Sequence, residues 1–375
     1  MPIGIAVLAD DLTSAGDSAA PFRRAGHRAR ILLSASAGTP DGVTAIDLGS
    51  RLLDEADAAT RAGEAARLFA GSELLVKTVD STLRGHVAAE VHAAWKGSGR
   101  RAVVVAPAFP AEGRVTVNGV QHVDGVPVHL SAYARDPVHP VRCSDLARVF
   151  PAAVLAERAA DVPALVDAGE MIVCSAAGDA DLDRLVAAVP RPDEVLWVGS
   201  PGLAAALARA YPHPDGATPA TPPPARRLLV VAGSANPVTR RQVAELRALA
   251  GVPEVVVGDP ATTARRLREL SAPVLTLRAP AERRPPDTIT RALAAVVSDL
   301  VEDGFVDALV LTGGATAVAV LRALGVTGLH LIDEPEPGAA RCLPLERPYP
   351  SVLMKAGGFG DDAMLHRLSR VRESL

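Results

Sequence analysis

Short apolar runs alternate with longer helical patterns along almost the whole chain, and this alternation constrains the fold more than any other feature of the sequence. Runs such as 3–9 (IGIAVLA), 102–106 (AVVVA) and 228–232 (LLVVA) have the length of buried strands. Helical patterns such as 55–70 and 287–302 lie between them. The alternation predicts an α/β architecture with mostly parallel sheets, in which ligands bind beyond the carboxyl ends of the strands.

The clearest break in this pattern is a proline-rich stretch at 212–227, PHPDGATPATPPPARR. It follows neither the period of a helix nor that of a strand, which is typical of an interdomain linker. A chain of 375 residues is also long enough for two domains. We therefore predict two α/β domains, at 1–211 and at 228–375, with the active-site cleft between them.

The composition excludes several classes of protein. A net charge of −4 gives no reason to expect nucleic acid or an anionic membrane as a partner. No apolar run approaches the roughly 18 residues that span a bilayer, and the N-terminus lacks the basic leader of a signal peptide. The three cysteines are far apart and odd in number, so we expect neither disulfides nor a zinc site, and a reducing, cytoplasmic setting fits best.

The stretch KTVDSTLRG at 77–85 carries the densest chemistry in the first half. The apolar run before it and the helical pattern after it predict a turn between a strand end and a helix start, with Lys77, Asp80 and Arg84 on the turn. Such a turn offers unpaired backbone N–H groups and the positive end of a helix dipole, which favour an anionic ligand. The carboxylate of Asp80 would orient or deprotonate a substrate hydroxyl.

Two further strand ends are predicted to meet the same pocket. The first strand ends in ADDLTSAGD, where Asp10 and Asp11 would bind hydroxyls or a divalent cation. The alternative is a helix cap without chemistry, and Thr13 or Ser14 could also cap the helix that follows. Arg51 follows a third strand and could bind a carboxylate with both arms of its guanidinium, although a surface arginine is the more common case.

Residues 107–145 show short alternating β segments but no clear overall periodicity. A long irregular region within a compact domain is often functional. This one supplies the polar residues Arg114, Asn118, Arg135 and Asp136. The spacing of its histidines matches no metal site, so the metal ligands remain unknown.

Three strand-to-helix turns in the second half share one design. Glycines let backbone N–H groups approach a ligand closely, and helix starts favour phosphate, so together the turns predict a nucleotide site. Neither G-x-x-x-x-G-K-[ST] nor G-x-G-x-x-G after a strand is present, so the site is neither of the Walker nor of the usual dinucleotide kind. Asn236 and Pro237 are predicted to cap and begin the helix after the first turn. The candidate nucleotide residues on the turns are Ser234, Gly313, Gly314, Ala315, Thr316, Lys355, Gly357 and Gly358.

Lysine is rare in this chain, since only Lys77, Lys96 and Lys355 occur among 39 basic residues. Lys77 and Lys355 both lie at predicted strand ends beside polar or glycine-rich turns. A compact ammonium suits contacts with phosphates and oxyanions. We therefore assign these two lysines to the predicted ligand sites, with a chance distribution of three lysines as the alternative.

In this order, the motifs resemble the four-carbon acid sugar kinase family, also described as the domain-of-unknown-function 1537 family. The resemblance covers almost the whole chain, from 3 to 370. In the first half it rests on ADDLTSAGD at 9–17, KTVDSTLRG at 77–85, PAFPAEGRVTVNGVQHVDGVPV at 107–128 and YARDPVHPV at 133–141. In the second half it rests on GSANPVT, TGGAT, EPEPG at 334–338 and KAGGFG at 355–360.

The resemblance implies an ATP-dependent kinase that phosphorylates the terminal hydroxyl of a small four-carbon sugar acid, such as threonate, erythronate or an oxo-tetronate. It implies an N-terminal acid-sugar-binding domain, a C-terminal nucleotide-binding domain, and ATP with Mg²⁺ as cofactors. Lys77 and Lys355 would then spread the developing charge, and Asp80 or Asp11 would orient the hydroxyl and accept its proton. The positions that match the substrate site of the family are Asp11, Arg51, Asp80, Ser81, Thr82, Leu83 and Arg84.

The chain departs from the family pattern at a few positions. Ala315 stands where the family usually has an acidic residue, Asn236 stands where serine is common, and Ser14 replaces a usual glycine. The first departure motivates an alternative, a non-catalytic sugar-acid sensor on the same scaffold. A third hypothesis is a hydrolase that uses Asp10 and Asp11, but adjacent acids do not match the D-x-D pattern. The sequence leaves substrate stereochemistry and oligomeric state open, with a homodimer among the options.

Overall fold

The chain folds into two compact units, Met1–Thr218 and Pro219–Leu375. Both are α/β units, which confirms the predicted fold class. The predicted linker at 212–227 includes residues 217–224, which lie outside the described residues. The structure is a computed structural model, and it describes residues 3–35, 42–136, 138–216, 225–234, 236–281, 285–346 and 350–370.

The first unit alternates strands and helices as the apolar periodicity predicts. Its strands are β1 (Ile5–Ala9), β2 (Ala29–Leu32), β3 (Val43–Asp47), β4 (Leu74–Thr78), β5 (Ala102–Ala106), β6 (Arg114–Val117), β7 (Val120–Val123), β8 (Val126–Pro127), β9 (Val154–Ala156), β10 (Met171–Cys174) and β11 (Val195–Gly199). Its α-helices are α1 (Leu12–Arg24), α2 (Glu55–Leu68), α3 (Val87–Ser98), α4 (Leu146–Val149), α5 (Val162–Ala168), α6 (Asp179–Ala188) and α7 (Pro201–Ala210).

The main sheet of the first unit is parallel, with the strand order β2-β3-β1-β4-β11-β5-β10-β9. The chain places β3 on one side of β1 and then crosses to β4 on the other side. The strand order therefore reverses between β1 and β4, and such a reversal opens a crevice beyond the carboxyl ends of the two strands. The strands β6, β7 and β8 form a separate antiparallel sheet from the irregular region at 107–145.

The central strands are buried along their whole length because helices cover both faces of the sheet. Every residue of β1, β4 and β5 is buried, as expected of central strands in a parallel sheet. The core on one face includes Leu8, Leu75, Val103 and Leu196. Each such side chain contributes about 1.5–3 kcal/mol by leaving water, so the strand ends that carry the polar residues are firmly held.

Helix α1 has the acid cap that the sequence offered as one alternative for Asp10 and Asp11. Its N-cap is Asp11, whose Oδ1 accepts a hydrogen bond from the backbone N–H of Ser14 at 2.7 Å. Thr13 and Ser14 therefore lie within the first turn of the helix, which corrects the prediction that one of them is the cap. Asp11 is extended, with φ −142° and ψ 166°, the conformation in which an aspartate can reach back to the first turn.

The second unit has the same alternation and one antiparallel addition. Its strands are β12 (Leu228–Ala232), β13 (Glu254–Val256), β14 (Val274–Arg278), β15 (Ala308–Thr312), β16 (Gly328–Glu336), β17 (Ala339–Pro344) and β18 (Ser351–Lys355). Its α-helices are α8 (Pro237–Ala250), α9 (Pro260–Arg268), α10 (Pro286–Glu302), α11 (Gly314–Ala323) and α12 (Met364–Arg370). In the described part of the chain, no helix is long and apolar enough to cross a membrane.

The sheet of the second unit runs β13-β14-β12-β15-β18 in parallel and continues with β17 and β16 in antiparallel pairing. Its strand order reverses between β12 and β15, which opens a second crevice by the same rule. The hairpin β16–β17 was not predicted. The two-residue period by which strands are recognised is interrupted there by Pro335, by Pro337 and by two register shifts.

Candidate active site

Polar residues follow three adjacent strands of the first unit where those strands end. Asp10 and Asp11 follow β1, Arg51 follows β3, and Asp80 follows β4. Because β1 pairs with both β3 and β4 in parallel register, their carboxyl ends lie side by side. The structure thus brings the three predicted strand ends together at the reversal of the strand order.

Arg51 joins these strand ends through its guanidinium. Its Nε lies 2.7 Å from Asp10 Oδ2 and its Nη2 lies 2.9 Å from Asp10 Oδ1, which is a two-armed ion pair. Its Nη1 contacts Asp11 Oδ2, and Nη2 also lies 3.8 Å from Asp80 Oδ2. Burial lowers the pKa of Arg51, but Asp10 and Asp11 outweigh burial and raise the pKa well above its ordinary value.

Asp10 is the more buried acid of the adjacent pair, with a side chain 5% exposed against 21% for Asp11. Burial raises the pKa of Asp10, but the charges of Arg51 and Lys77 outweigh burial and hold the pKa below the usual carboxyl range. Asp10 is therefore an ionised internal partner of Arg51, and Asp11 is the acid that a ligand can reach.

The turn after β4 is built around the Asp80 carboxylate. Its Oδ1 accepts hydrogen bonds from the backbone N–H of Thr82 at 2.7 Å and from the Thr82 hydroxyl, and its Oδ2 lies 2.5 Å from Arg84 Nη2. Leu83 has the left-handed φ of +62°, which costs about 1–3 kcal/mol for a non-glycine residue. Burial raises the pKa of Asp80, but Arg84 and Arg51 outweigh burial and hold the pKa below the usual range.

The helix after this turn begins where the sequence pattern predicts it. Helix α3 begins at Val87, so 81–84 form a side-chain-bonded turn and not the start of a helix. Thr82 and Leu83 direct their backbone N–H groups to Asp80, so neither is left for a ligand. The N-cap residue of α3, His86, makes no side-chain cap bond, so the helix start that favours an anion lies after Gly85.

Among the predicted site residues, Lys77 has the position that differs most clearly from the prediction. It lies inside β4, not on the turn, and its side chain is 1% exposed. Its Nζ lies 2.9 Å from Glu90 Oε2 and donates to the carbonyl of Thr78 at 2.8 Å, and Glu90 Oε2 also accepts from the hydroxyl of Ser50. The ammonium is thus paired within the core, where an ion pair satisfies both charges.

Sequence reasoning missed Glu90, although the pattern contained a signal for it. Glu90 lies on the buried face of α3 with Val87, Val91 and Ala94. A single acid on the apolar stripe of a helix indicates a buried basic partner, and Lys77 is that partner. Asp136 had been noted only for its polarity, and the structure places it 3.5 Å from Arg84 Nη1.

The network around the turn carries more negative than positive charge. Two guanidinium charges face four carboxylates, so groups that donate hydrogen bonds, such as hydroxyls, suit the site. A guanidinium has five N–H donors, and Arg84 directs three of them to described residues, with a side chain 29% exposed. The members of the network are Arg51 and Arg84 with Asp10, Asp11, Asp80 and Asp136.

In the second unit, the three predicted turns meet around Ser234. A Cβ added to Gly357 would lie 2.7 Å from Ser234 Oγ, and a Cβ added to Gly313 would lie 3.4 Å from Ser234 Cβ. A Cβ on Gly358 would likewise approach Asn236 Nδ2 at 3.2 Å. The turns after β12, β15 and β18 therefore enclose one space, and side chains in place of these glycines would fill it.

The helix starts of this space differ in how they are capped. Asn236 caps α8 by accepting from the backbone N–H of Val238 at 2.9 Å, with Pro237 at the first position, as predicted. The N-cap of α11 is Gly313, which has no side chain and a φ of +89°. The first turn of α11, at Gly314–Thr316, therefore leaves backbone N–H groups available to an anion.

Lys355 is the last residue of β18 and is buried, with 0% of its surface exposed. Its Nζ donates to the carbonyl of Ala356 at 2.8 Å. The predicted position at a strand end is correct, but the ammonium lies beneath the glycine-rich turn and contacts the main chain there.

The comparisons with known proteins agree with this division into two sites. A sugar-binding N-terminal domain matches residues 5–207, and a nucleotide-binding C-terminal domain matches residues 229–365. A D-threonate kinase from Bordetella bronchiseptica is 35% identical, and the match covers 98% of each chain. The chain belongs to the four-carbon acid sugar kinase family. A second relative, a 3-oxo-tetronate kinase of Methylobacterium radiotolerans, is 30% identical over 96% of this chain and 97% of its own.

Solved structures are consistent with membership of the four-carbon acid sugar kinase family. A Salmonella typhimurium protein, described as a proposed tRNA synthase, has a TM-score of 0.82 at 23% identity and covers 98% of this chain and 99% of its own. At that identity the likeness establishes the fold alone. A Bordetella bronchiseptica protein of the domain-of-unknown-function 1537 family is 33% identical, with a TM-score of 0.50, and covers 99% of this chain and 98% of its own. It is described as a domain-swapped dimer with bound citrate.

Proposed function

We propose that this chain is an ATP-dependent kinase that phosphorylates the terminal hydroxyl of a four-carbon sugar acid of the threonate, erythronate or 3-oxo-tetronate type. The observation that carries the proposal is the match to a D-threonate kinase over 98% of both chains. Each unit supports it with a polar site at a reversal of its strand order. The carboxylates of the first unit suit the hydroxyls of a sugar acid, and the partly exposed Arg84 suits its carboxylate. The glycine turns of the second unit suit phosphates.

The residues of the second unit fit a nucleotide. The first turn of α11 is free of a side-chain cap, and the space around Ser234 would be filled by a Cβ on Gly357. We assign the phosphates to the Gly313–Thr316 turn, Ser234 and the turn at 355–358. When bound, ATP supplies the phosphoryl group for transfer to the substrate hydroxyl.

The described residues offer few ligands for Mg²⁺. Among the described residues, no group of three His, Cys, Asp or Glu could hold an ion, and Ala315 provides no carboxylate at the start of α11. Magnesium in kinases is bound largely by nucleotide phosphates and waters. We therefore propose that Mg²⁺ binds with the nucleotide and that this protein contributes few of its ligands.

In the first unit, we assign the substrate carboxylate to Arg84. Its guanidinium is partly exposed and retains N–H donors beyond those given to Thr82, Asp80 and Asp136. A hydrogen bond to a charged group contributes about 1.5–3 kcal/mol, so Arg84→Gln is expected to raise the KM for the sugar acid by about 10- to 100-fold. The start of α3 adds a favourable dipole for the same carboxylate.

We assign the orientation of the terminal hydroxyl to Asp11 and the shape of the turn to Asp80. Both Asp80 oxygens are engaged within the turn, and its depressed pKa makes it a weak base. Asp11 is more exposed, and its Oδ2, which contacts Arg51 Nη1, can accept a further hydrogen bond. Because phosphoryl transfer depends mainly on positioning, a base as weak as a carboxylate suffices.

A matched pair of variants separates these two roles. Asn is as good an N-cap as Asp, so Asp11→Asn retains the start of α1 and removes the charge together with the Oδ2 acceptor that contacts Arg51. We expect kcat to fall by about 10²–10⁴-fold in Asp11→Asn if Asp11 acts on the hydroxyl. In Asp80→Asn, we expect mainly a higher KM for the sugar acid. If kcat falls in Asp80→Asn but not in Asp11→Asn, the roles of the two acids are the reverse of those assigned here.

The activity itself is tested by coupled ADP release with a panel of four-carbon acids and Mg-ATP. Turnover is expected with at least one threonate, erythronate or 3-oxo-tetronate. Erythritol, which has the hydroxyls but lacks the carboxylate, is the control and should not be phosphorylated. Thermal shifts measured in parallel report binding by mass action. Binding without ADP release would indicate the sensor. The absence of both binding and ADP release would refute the kinase.

We also propose a homodimer as the working assembly. The support is the related Bordetella bronchiseptica protein, which is described as a domain-swapped dimer. Light scattering after size-exclusion chromatography is expected to give twice the mass of the 38.7 kDa chain. A mass that stays at one chain over the accessible concentrations would refute the dimer.

A further inference from the structure

Each unit contains a fully buried glutamine whose side-chain amide donates to main-chain carbonyls of the turn at the candidate ligand site. Gln121 and Gln242 both have 0% of their surface exposed. Gln121 lies on β7 in the first unit, and Gln242 lies on α8 in the second. Neither was singled out by its charge or by a glycine motif, because the contact with the turn depends on the tertiary fold.

Gln242 holds the last part of the glycine-rich turn in the second unit. Its Nε2 donates to the carbonyls of Phe359 at 2.9 Å, Gly360 at 3.3 Å and Asp361 at 2.8 Å. Thr239, one helical turn earlier on the same face of α8, is 1% exposed. Its hydroxyl donates to the carbonyl of Gly357 at 2.8 Å.

The direction of these carbonyls determines what the turn presents to a ligand. A peptide bond is planar and trans, so the N–H of each following residue points away from the carbonyl before it. With the carbonyls turned towards α8, the N–H groups of Gly358, Gly360 and Asp361 point away from the helix. Within the described part of the chain, none of these N–H groups has a hydrogen-bond acceptor. The turn therefore offers donors, not acceptors, which is what an anion requires.

Gln121 does the same for the turn after β4. Its Nε2 donates to the carbonyl of Ser81 at 2.7 Å, and its Oε1 accepts from the hydroxyl of Thr116. Because the Ser81 carbonyl points to Gln121, the N–H of Thr82 points the other way, where it donates to Asp80 Oδ1. The amide of Gln121 thus fixes the peptide plane on which the position of the Asp80 carboxylate depends.

We propose that these two glutamines, each with a buried threonine, are the positioning residues of the two ligand turns. Gln121 with Thr116 would set the sugar-acid turn, and Gln242 with Thr239 would set the phosphate turn. The inference rests on the proposed kinase function, because it assigns one ligand to each turn. A purely structural pair would stabilise its unit without favouring either ligand.

A crossed kinetic experiment tests the proposal. The variants Gln121→Met and Gln242→Met keep the side-chain volume and remove the amide donors, and Thr239→Val removes the hydroxyl. We expect Gln242→Met and Thr239→Val to raise the KM for ATP by about tenfold or more, with the KM for the sugar acid within about twofold. Gln121→Met is expected to raise the KM for the sugar acid by about tenfold or more and to leave the KM for ATP within about twofold. Thr239→Ser retains the hydroxyl and should restore the KM for ATP.

Thr263 provides a matched control for Thr239. It is 3% exposed, and its hydroxyl also donates to a backbone carbonyl, that of Asp259, at 2.8 Å. It lies on α9, outside the three glycine turns. Thr263→Val should lower the melting temperature as Thr239→Val does, but it should leave the KM for ATP unchanged. If Gln242→Met fails to fold, Thr239→Val and Thr239→Ser test the proposal for the second unit.

The outcomes separate this inference from the kinase proposal. If the wild type turns over and both KM values move together, or neither moves, the positioning role is wrong and the kinase stands. If the wild type shows no turnover, the same variants are compared by calorimetry with Mg-ADP and a tetronate as probes. The crossed pattern in the two dissociation constants would then support positioning without catalysis. A wild type that binds neither probe overturns both proposals.

Discussion

The buried pair of Lys77 and Glu90 gives the sharpest test of how the first unit is built. The substitution Lys77→Met removes the ammonium and retains the length of the side chain. It leaves Glu90, whose side chain is 3% exposed, without a cationic partner, and it leaves the carbonyl of Thr78 without its donor. An ionised carboxylate held in the core without a partner is strongly destabilising.

The expected loss of stability follows from the burial of the pair. Removing one member of a buried ion pair costs about 3–5 kcal/mol, and the exposures of 1% and 3% place this pair in that class. For a unit of this size, 1 kcal/mol corresponds to about 2–4 °C in melting temperature. Lys77→Met is therefore expected to lower the melting temperature of the first unit by about 6–20 °C.

The double variant Lys77→Met with Glu90→Met distinguishes the charge from the volume. Replacing both members by apolar side chains is often neutral, although the hydroxyl of Ser50 also loses its acceptor, at a cost of about 1 kcal/mol. Differential scanning calorimetry should therefore show the double variant within a few degrees of the wild type. If the double variant is as unstable as Lys77→Met, the charge imbalance is not the cause and the reasoning fails.

The same pair of variants tests whether Lys77 also contacts substrate. As a core residue, Lys77 affects activity only through the fold and the charge near Asp10, so the stable double variant should retain most of the kcat. A double variant that is stable but has lost about 10²-fold or more in kcat would place Lys77 among the residues that act on the phosphate.

Three further predictions concern other parts of the molecule. Gly357→Ala should weaken ATP binding by about tenfold or more, because its Cβ would lie 2.7 Å from a side-chain oxygen. The control Gly71→Ala, whose Cβ would have no neighbour within 4 Å, should leave ATP binding unchanged. Burial raises the pKa of Cys174 to about 12, so mass spectrometry after brief alkylation at pH 8 should find Cys143 modified first. The folded pKa of Asp80 is depressed, so its stabilising contribution is complete above about pH 4 and is lost as the pH falls through that depressed value. Asp80→Asn should therefore lose less stability than the wild type between about pH 4 and pH 2 in acid unfolding.

The fold was largely predictable because its strands are short apolar runs that are buried on both faces. The strands β1, β5 and β12 coincide with such runs, since a central parallel strand has no solvent face to interrupt the apolar pattern. The hairpin β16–β17 was not predictable by this signal. Its burial alternates only in part, and it has Pro335 in its first strand and Pro337 in its turn.

The candidate site was predictable in its members and less so in their roles. Residues that follow adjacent parallel strands must come together at one edge of the sheet, which is why Asp11, Arg51 and Asp80 could be grouped from the sequence. The pairing of Arg51 with Asp10 depends on which acid turns inward, and neighbouring acids in a sequence do not reveal that. The contact of Gln121 with Ser81 spans 40 residues, so no local pattern contains it.

The two lysines lie at strand ends, where the sequence placed them, but their side chains are buried. Lys77 and Lys355 lie at strand ends beside the two sites, yet both are buried and both donate to the carbonyl of the next residue at 2.8 Å. A guanidinium is a wide planar fork that suits carboxylates at partly exposed sites, such as Arg51 and Arg84. An ammonium is compact enough to turn back on its own strand within the core. A lysine therefore fits where a charge is buried beneath a turn, and an arginine fits where a partly exposed charge contacts a carboxylate.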